Sequence, residues 1–203
     1  MLIGKQLAFR YPHHNWIVRN FDIAIAPSEV VGLFGPSGFG KTTLSKLLAG
    51  YLTPTQGQVT IDNSPLPDRG YCPVQMIFQN PELAVNPRWR IHKILAEKQS
   101  PDRFLLNALA IHPSWLDRYP HELSGGELQR VAVARVLNPA TRYLIADEMT
   151  AMLDANTQAL IWHMVLDYVR SHNIGLLVIS HDAALVKRVC NRAINLMQVG
   201  TSR

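Results

Sequence analysis

The stretch VVGLFGPSGFGKT, Val30 to Thr42, decides the fold. Its apolar run, Val30 to Phe34, reads as a buried strand. The run breaks into a glycine-rich turn and gives way to a helical pattern, Lys41 to Ala49, that Gly50 stops. Gly35, Gly38 and Gly40 let the backbone curl tightly, so that successive N–H groups and the positive end of the following helix converge on an anion. Lys41 adds a charge for terminal phosphates, and the Thr42 hydroxyl is an oxygen ligand suited to a hard cation such as Mg2+. Strand, loop, lysine and threonine in this order predict a phosphate loop; a glycine-rich turn that binds nothing has no need of all four in register.

Outward from the loop, short apolar segments alternate with helical ones. Strands are expected at Leu2 to Phe9, Phe21 to Ala26, Gln58 to Ile61, Val74 to Phe78, Tyr143 to Ala146, Leu176 to Ile179 and Ala193 to Met197. Helices are expected at Arg90 to Lys98, Arg103 to Ile111, Ser124 to Leu137 and Asn156 to Val169. The later strands are apolar throughout, which predicts cover on both faces and a largely parallel sheet with helices packed on it. In the last helix Leu160, Ile161, Met164, Val165, Tyr168 and Val169 share one stripe, a face for packing. Proline-rich, mainly helical sequence from about 81 to 137 reads as an inserted subdomain within one domain spanning 1–203.

Composition narrows the function classes. The chain has 203 residues, 47% of them hydrophobic, enough for a real core. Its net charge of +5 is scattered rather than gathered in runs, which suits phosphate binding or an anionic membrane surface and predicts no nucleic-acid partner. Cys72 and Cys190 have neither disulfide nor zinc spacing. The amino-terminal stretch has no signal-peptide pattern and no apolar run reaches a membrane-spanning length of about 18 residues.

Two further motifs carry chemistry. RYLIADE, Arg142 to Glu148, sets Asp147 and Glu148 at the carboxyl end of an apolar strand, where open parallel sheets bind ligands. Asp147 suits Mg2+, and Glu148 suits orienting and deprotonating an attacking water. Far downstream of the phosphate loop, LSGGELQR, Leu123 to Arg130, has the S-x-x-E spacing of a capping box at Ser124 and Glu127. A cap explains neither Gly125 nor Gly126, each costing a first helical turn roughly 1 kcal/mol relative to Ala. What two glycines permit is close approach of backbone N–H groups to an anion, and a second cradle in a chain that already has one serves another molecule's nucleotide.

Taken in order, these motifs resemble the nucleotide-binding subunit of an ATP-binding cassette (ABC) transporter, and the resemblance covers nearly the whole chain. It implies the α/β fold of the ABC phosphate-loop ATPases: a mostly parallel sheet core, an antiparallel β part and an inserted helical subdomain. It implies ATP on Gly35, Pro36, Ser37, Gly38, Phe39, Gly40, Lys41, Thr42 and Thr43, with Tyr11 stacking on adenine unless Phe9 or Trp16 fills that place. Gln79, in IFQNP, matches the glutamine that senses Mg2+ and the terminal phosphate, so Thr42, Gln79 and Asp147 form the implied metal set. His181, in VISHD, resembles the switch histidine that contacts the terminal phosphate beside Lys41 and Glu148. Ser124, Gly125, Gly126 and Glu127 become the segment that faces the other subunit's ATP, and Asp154, in AMLD, lies in the loop that crosses the dimer interface.

QNPELAVNPRW, Gln79 to Trp89, is similar to the corresponding stretch in importers of dipeptides, oligopeptides, nickel and opine chelates. The implied partners are transmembrane permease subunits, a second ATPase subunit of the same or a different chain, and a substrate-binding protein; the implied place is the cytoplasmic face of a membrane. Two positions depart from the family pattern. Met149 stands where proline usually follows the glutamate, and Ala151, Met152, Leu153, Asp154 replace Ser-Ala-Leu-Asp. The first relaxes a backbone restriction without removing a charged ligand, so activity is expected to survive. The chain closes soon after its last strand, so none of the carboxyl-terminal additions of many peptide-importer ATPases is expected. A soluble cassette ATPase acting on nucleic acid or ribosomes and a small-molecule phosphate-loop kinase are the alternatives; the first typically brings tandem cassettes or zinc cysteines, and the second has no use for Gly125 and Gly126.

Overall fold

The structure, a computed structural model, describes residues 1–197, which fall into two compact units. The first unit comprises residues 1–76, 142–147 and 173 onward, and carries both sheets. Strands β1 (Leu2–Phe9), β2 (Val18–Ile25), β4 (Gln56–Ile61) and β5 (Ser64–Pro65) make an antiparallel sheet in the order β2-β1-β4-β5. The other sheet has the order β6-β7-β8-β3-β9, from β3 (Val30–Phe34), β6 (Val74–Ile77), β7 (Tyr143–Asp147), β8 (Gly175–Ile179) and β9 (Arg192–Asn195). Pairings β7/β8, β8/β3 and β3/β9 are all parallel. Every residue of β7 and β8 is buried, the condition foreseen for strands covered on both faces. Helix α1 (Lys41–Leu48) follows β3 directly from the phosphate loop, burying Leu44, Leu47 and Leu48.

The second unit comprises residues 77–141 and 148–172. Its helices are α2 (Ile91–Leu95), α3 (Arg103–Ala108), α4 (Gly125–Val136) and α5 (Ala155–Ser171). The first two are shorter than their sequence pattern predicts. Helix α2 stops where the polar run Glu97 to Ser100 begins, with no apolar face to bury; there Glu97 pairs with Arg135 at 2.9 Å. Helix α3 ends because Ala110 turns left-handed at φ 49° and Ile111 N–H folds back onto the Leu106 carbonyl at 2.8 Å. On α5 the buried side chains are Ile161, Trp162, Val165 and Val169, so the packed stripe leans toward Trp162 and leaves Leu160, Met164 and Tyr168 half-buried.

Further differences belong to the first unit: strand β5 is not expected from the sequence, and β2 begins at Val18, ahead of the expected Phe21. Helix α6 (Ala183–Val189) has no counterpart in the sequence expectation; Asp182 caps it, accepting from Ala184 N–H at 2.8 Å and Leu185 N–H at 3.2 Å. Strand β9 begins and ends earlier than expected, because Met197 N–H turns back onto the Asn195 side chain at 3.0 Å.

Candidate functional site

Strand register gathers the chemical residues of the first unit at one edge of the parallel sheet. Asp147 pairs with Ile179 and Ile179 with Leu33, so the residues that follow each strand emerge side by side: the loop from Gly35, and Ser180 with His181. This is the carboxyl edge, where such sheets hold ligands. Asp147 is buried, while His181 is exposed. Ser180 accepts from Asp182 N–H at 3.0 Å, which fixes the turn carrying His181 between β8 and α6.

Within the phosphate loop, Gly38 and Gly40 have φ of 84° and 82°, a conformation that side-chain-bearing residues disfavour. A Cβ at Gly40 would also stand 2.9 Å from the Ile17 carbonyl oxygen. No side chain caps α1, so the first turn of that helix faces the loop through its backbone alone. Lys41 is only 6% exposed, and its ammonium donates to the carbonyls of Gly35 at 2.8 Å and Pro36 at 2.9 Å. Those bonds span the loop and hold the ammonium against its backbone. Pro36, Ser37, Gly38 and Thr42 are exposed; Gly35, Phe39, Gly40 and Thr43 are half-buried.

The structure discriminates among the three aromatic candidates. Phe9 lies in the core at 8% exposure, and Trp16 has the Arg10 guanidinium 4.9 Å from its ring centre. Tyr11 is 43% exposed and braced edge-on by Phe9, centroids 5.0 Å apart. It offers the most open ring for stacking.

In the second unit, LSGGELQR opens α4. Ser124 is the N-cap and the capping box is complete: Glu127 N–H donates to the Ser124 hydroxyl at 3.3 Å, and Ser124 N–H donates to the Glu127 carboxylate at 2.7 Å. That second bond, with smaller help from the Ser124 side chain and from Arg130 and Arg118, holds the Glu127 carboxyl below its ordinary range. The box uses the N–H groups of Ser124 and Glu127 and neither glycine's. A Cβ at Gly125 would meet nothing within 4 Å, and one at Gly126 would make ordinary contacts with Leu153 and Thr157 at 3.6 and 3.7 Å. Neither glycine is demanded by the chain's own packing.

Gln79 is exposed at the start of the segment leading to a 3-10 turn, Pro81–Leu83. The residue before it is tied to α4: Gln129, 1% exposed, donates its amide to the Phe78 carbonyl at 3.2 Å. Sequence reasoning missed Gln129, although a glutamine among the buried positions of a helix signals a backbone partner. Glu148 has φ 49° and is half-buried at the head of a tight turn. Asp154 caps α5, accepting from Asn156 and Thr157 N–H at 3.0 Å each and from the Thr157 hydroxyl at 2.6 Å. The Thr157 hydroxyl, then the backbone donors, keep its carboxyl below the usual value.

Thr42 and Asp147, in the first unit, offer a hydroxyl and a carboxylate, and Gln79, in the second, offers an amide oxygen; each is a donor of the kind Mg2+ prefers. Among the described residues no cluster of three or more His, Cys, Asp or Glu could hold a metal by itself, so such a cation would need the phosphates as further ligands. No helix among the described residues is long and apolar enough to cross a membrane.

A phosphate loop between β3 and α1, an acidic end to the neighbouring buried strand, and a mostly parallel sheet define an α/β phosphate-loop nucleotide-binding protein. Comparison with known proteins sharpens the class. Residues 18–151 match the family model described as ABC transporter, and the chain belongs to that family. It is 34% identical over 199 residues to a Brucella ovis protein named for peptide import as an ATP-binding protein, covering 89% of this chain and 63% of the relative. It is also 34% identical over 221 residues to the nickel import ATP-binding protein NikE of Escherichia coli, covering 96% of this chain and 82% of that one. The chain thus spans 63% of the length of several of the relatives it matches. A bacterial ABC transporter cassette solved as a dimer superposes with a TM-score of 0.80 at 23% identity, over 96% of this chain and 94% of that one, which establishes the shared fold.

Proposed function

We propose that this chain is the ATP-binding and ATP-hydrolysing subunit of an ABC importer for peptide, nickel or a metal chelate. It forms one cassette domain with a helical subdomain near 81–137, and works at the cytoplasmic face of a membrane with separate permease subunits and a substrate-binding protein. Two ATPase subunits, the second a copy or a different chain, close head to tail on ATP. Membership of the ABC family and the import functions named for relatives support the importer reading over a nucleic-acid ATPase.

Tyr11 stacks on adenine. The loop from Gly35 to Thr43 wraps the phosphates, and Lys41 exchanges its carbonyl partners for phosphate oxygens, following the charge that develops during transfer. Bound on Thr42, Gln79 and Asp147, Mg2+ supplies electrostatic neutralisation of the terminal phosphates. Glu148 orients water and takes its proton, and His181 donates to the terminal phosphate. Across the interface, Ser124 and the N–H groups of Gly125 and Gly126 complete the partner's site, while Glu127 holds the capping box and Asp154 fixes the interface loop.

The observation that carries the paired-subunit reading is Gly125, a helical glycine whose missing side chain would have filled open space. A position that tolerates a side chain in its own chain, yet lacks one at a helix N-terminus, is kept clear for something outside that chain. Glu148→Gln provides the test. Turnover is expected to fall by roughly 100-fold to 10,000-fold with loss of general-base help, while ATP still binds and the closed dimer accumulates on size-exclusion chromatography. Near-normal hydrolysis by that variant overturns the assignment of Glu148.

A further inference from the structure

Glu148 stands in a backbone conformation that a bulky L side chain rarely adopts, φ 49°. Such a residue keeps that shape only when its surroundings over-determine it. The surroundings here are specific. Ala151 N–H bonds back to the Glu148 carbonyl at 3.1 Å, closing a turn over residues 148–151. At the centre of that turn Thr150 is 4% exposed and accepts three donors. Its carbonyl takes Leu153 N–H at 3.1 Å and the Gln158 side-chain amide at 2.8 Å; its hydroxyl takes the Trp162 indole N–H at 3.1 Å. Gln158 also reaches the Leu153 carbonyl at 3.2 Å, tying both ends of the segment to one side chain.

Gln158 and Trp162 are four residues apart on α5, so they stand one above the other on the same helix face. Trp162 is 7% exposed and Met149, beside Glu148, only 2%. The turn is therefore bolted to the first half of a 17-residue helix. That same end of the helix is set by the Asp154 cap.

We infer that Thr150, Gln158 and Trp162 form a clamp on α5 whose task is to hold Glu148 in its left-handed conformation, and so to aim its carboxylate at the attacking water. These are positioning residues: none touches nucleotide in the proposed mechanism, and all three act through the turn that begins at Glu148. The inference rests on the reading of Glu148 as the base. Releasing the clamp lets Glu148 relax toward an ordinary conformation and swings the carboxylate away. Because nucleotide binding depends on the phosphate loop, the cost falls on kcat and leaves KM for ATP nearly alone.

The test compares Thr150→Val, Thr150→Ser, Trp162→Phe and the Thr150→Val/Trp162→Phe pair in the full chain, with magnesium and ATP, measuring kcat, KM and the thermal midpoint. Thr150→Val keeps shape but removes the acceptor, and Trp162→Phe keeps a ring but removes the donor. Each is expected to lower kcat by roughly 10-fold to 100-fold, as a misaimed catalytic group does, with KM for ATP within about twofold. The pair should be scarcely worse than either single variant, because both remove one bond. Thr150→Ser, which retains the hydroxyl, restores turnover. The clamp is refuted if folded Thr150→Val or Trp162→Phe turns over normally while Glu148→Gln is inactive, or if Thr150→Ser is as slow as Thr150→Val. Should Glu148→Gln itself hydrolyse ATP normally, the base assignment fails first and the clamp with it.

Discussion

The molecule carries two glycine-rich helix entrances, built on opposite principles. At the phosphate loop the glycines are forced by the chain itself: Gly38 and Gly40 have left-handed φ, Gly40 abuts the Ile17 carbonyl, and no side chain caps α1. At LSGGELQR the helix is fully capped by its own Ser124 and Glu127, and Gly125 has open space where a side chain would stand. One glycine set is needed to fold the turn; the other is dispensable to folding. A sequence motif of glycines before a helix therefore has two meanings, and local geometry separates a turn that the chain needs from a surface it leaves open, the one we propose for a second chain.

Substitutions at the two entrances should diverge. The largest effect is expected from Gly40→Ala, which forces a side chain into a left-handed φ and against the Ile17 carbonyl. Backbone strain alone costs roughly 1–3 kcal/mol, so denaturant unfolding should show clear destabilisation and ATP binding should be lost. Gly125→Ala should do the reverse to stability. Alanine is favoured over glycine in a helix by about 1 kcal/mol, so the unfolding free energy rises, while turnover falls roughly 100-fold as the facing phosphate is displaced. A stabilised Gly125→Ala variant with full turnover would erase the distinction between the two entrances.

The smallest effect separates them by pH. The Glu127 carboxyl is held below its ordinary value chiefly by the Ser124 N–H. Its contribution to α4 is thus present above the unfolded carboxyl's pKa of about 4.3 and is lost as pH falls through the lower folded value. Near solvent, that contribution should amount to at most about 1 kcal/mol. Acid unfolding followed by circular dichroism should show it, and Glu127→Gln, which keeps an acceptor that does not titrate over this range, should flatten that part of the profile.

Most of the fold was legible because its strands are short, apolar and punctuated. Leu2–Phe9 and Val30–Phe34 were readable to the residue, and Ser124 announced the start of α4 through its box with Glu127. Helix α6 escaped because its seven residues bury only Val186, too little for a periodic stripe; the Asp182 cap was its one sequence signal. Helices α2 and α3 came out shorter because polar Glu97 to Ser100 and left-handed Ala110 stop them, and neither is visible in hydrophobic period alone. The phosphate loop and acidic pair could be read from the residues themselves. The clamp on Glu148 could not, since it depends on Thr150 and Trp162 meeting across a turn. Trp162 looks in sequence like one more apolar residue of a packing helix, and nothing in the spacing shows that its indole nitrogen has a task.

That indole has a practical consequence. Of the four tryptophans, Trp16, Trp89 and Trp115 lie under the cations Arg10, Lys93 and Arg130. Trp162 is buried and donates to the turn that begins at Glu148. With the other three replaced by phenylalanine, the emission colour of Trp162 becomes a native optical reporter, and stopped-flow fluorescence could time each loosening and tightening of that turn without any attached dye.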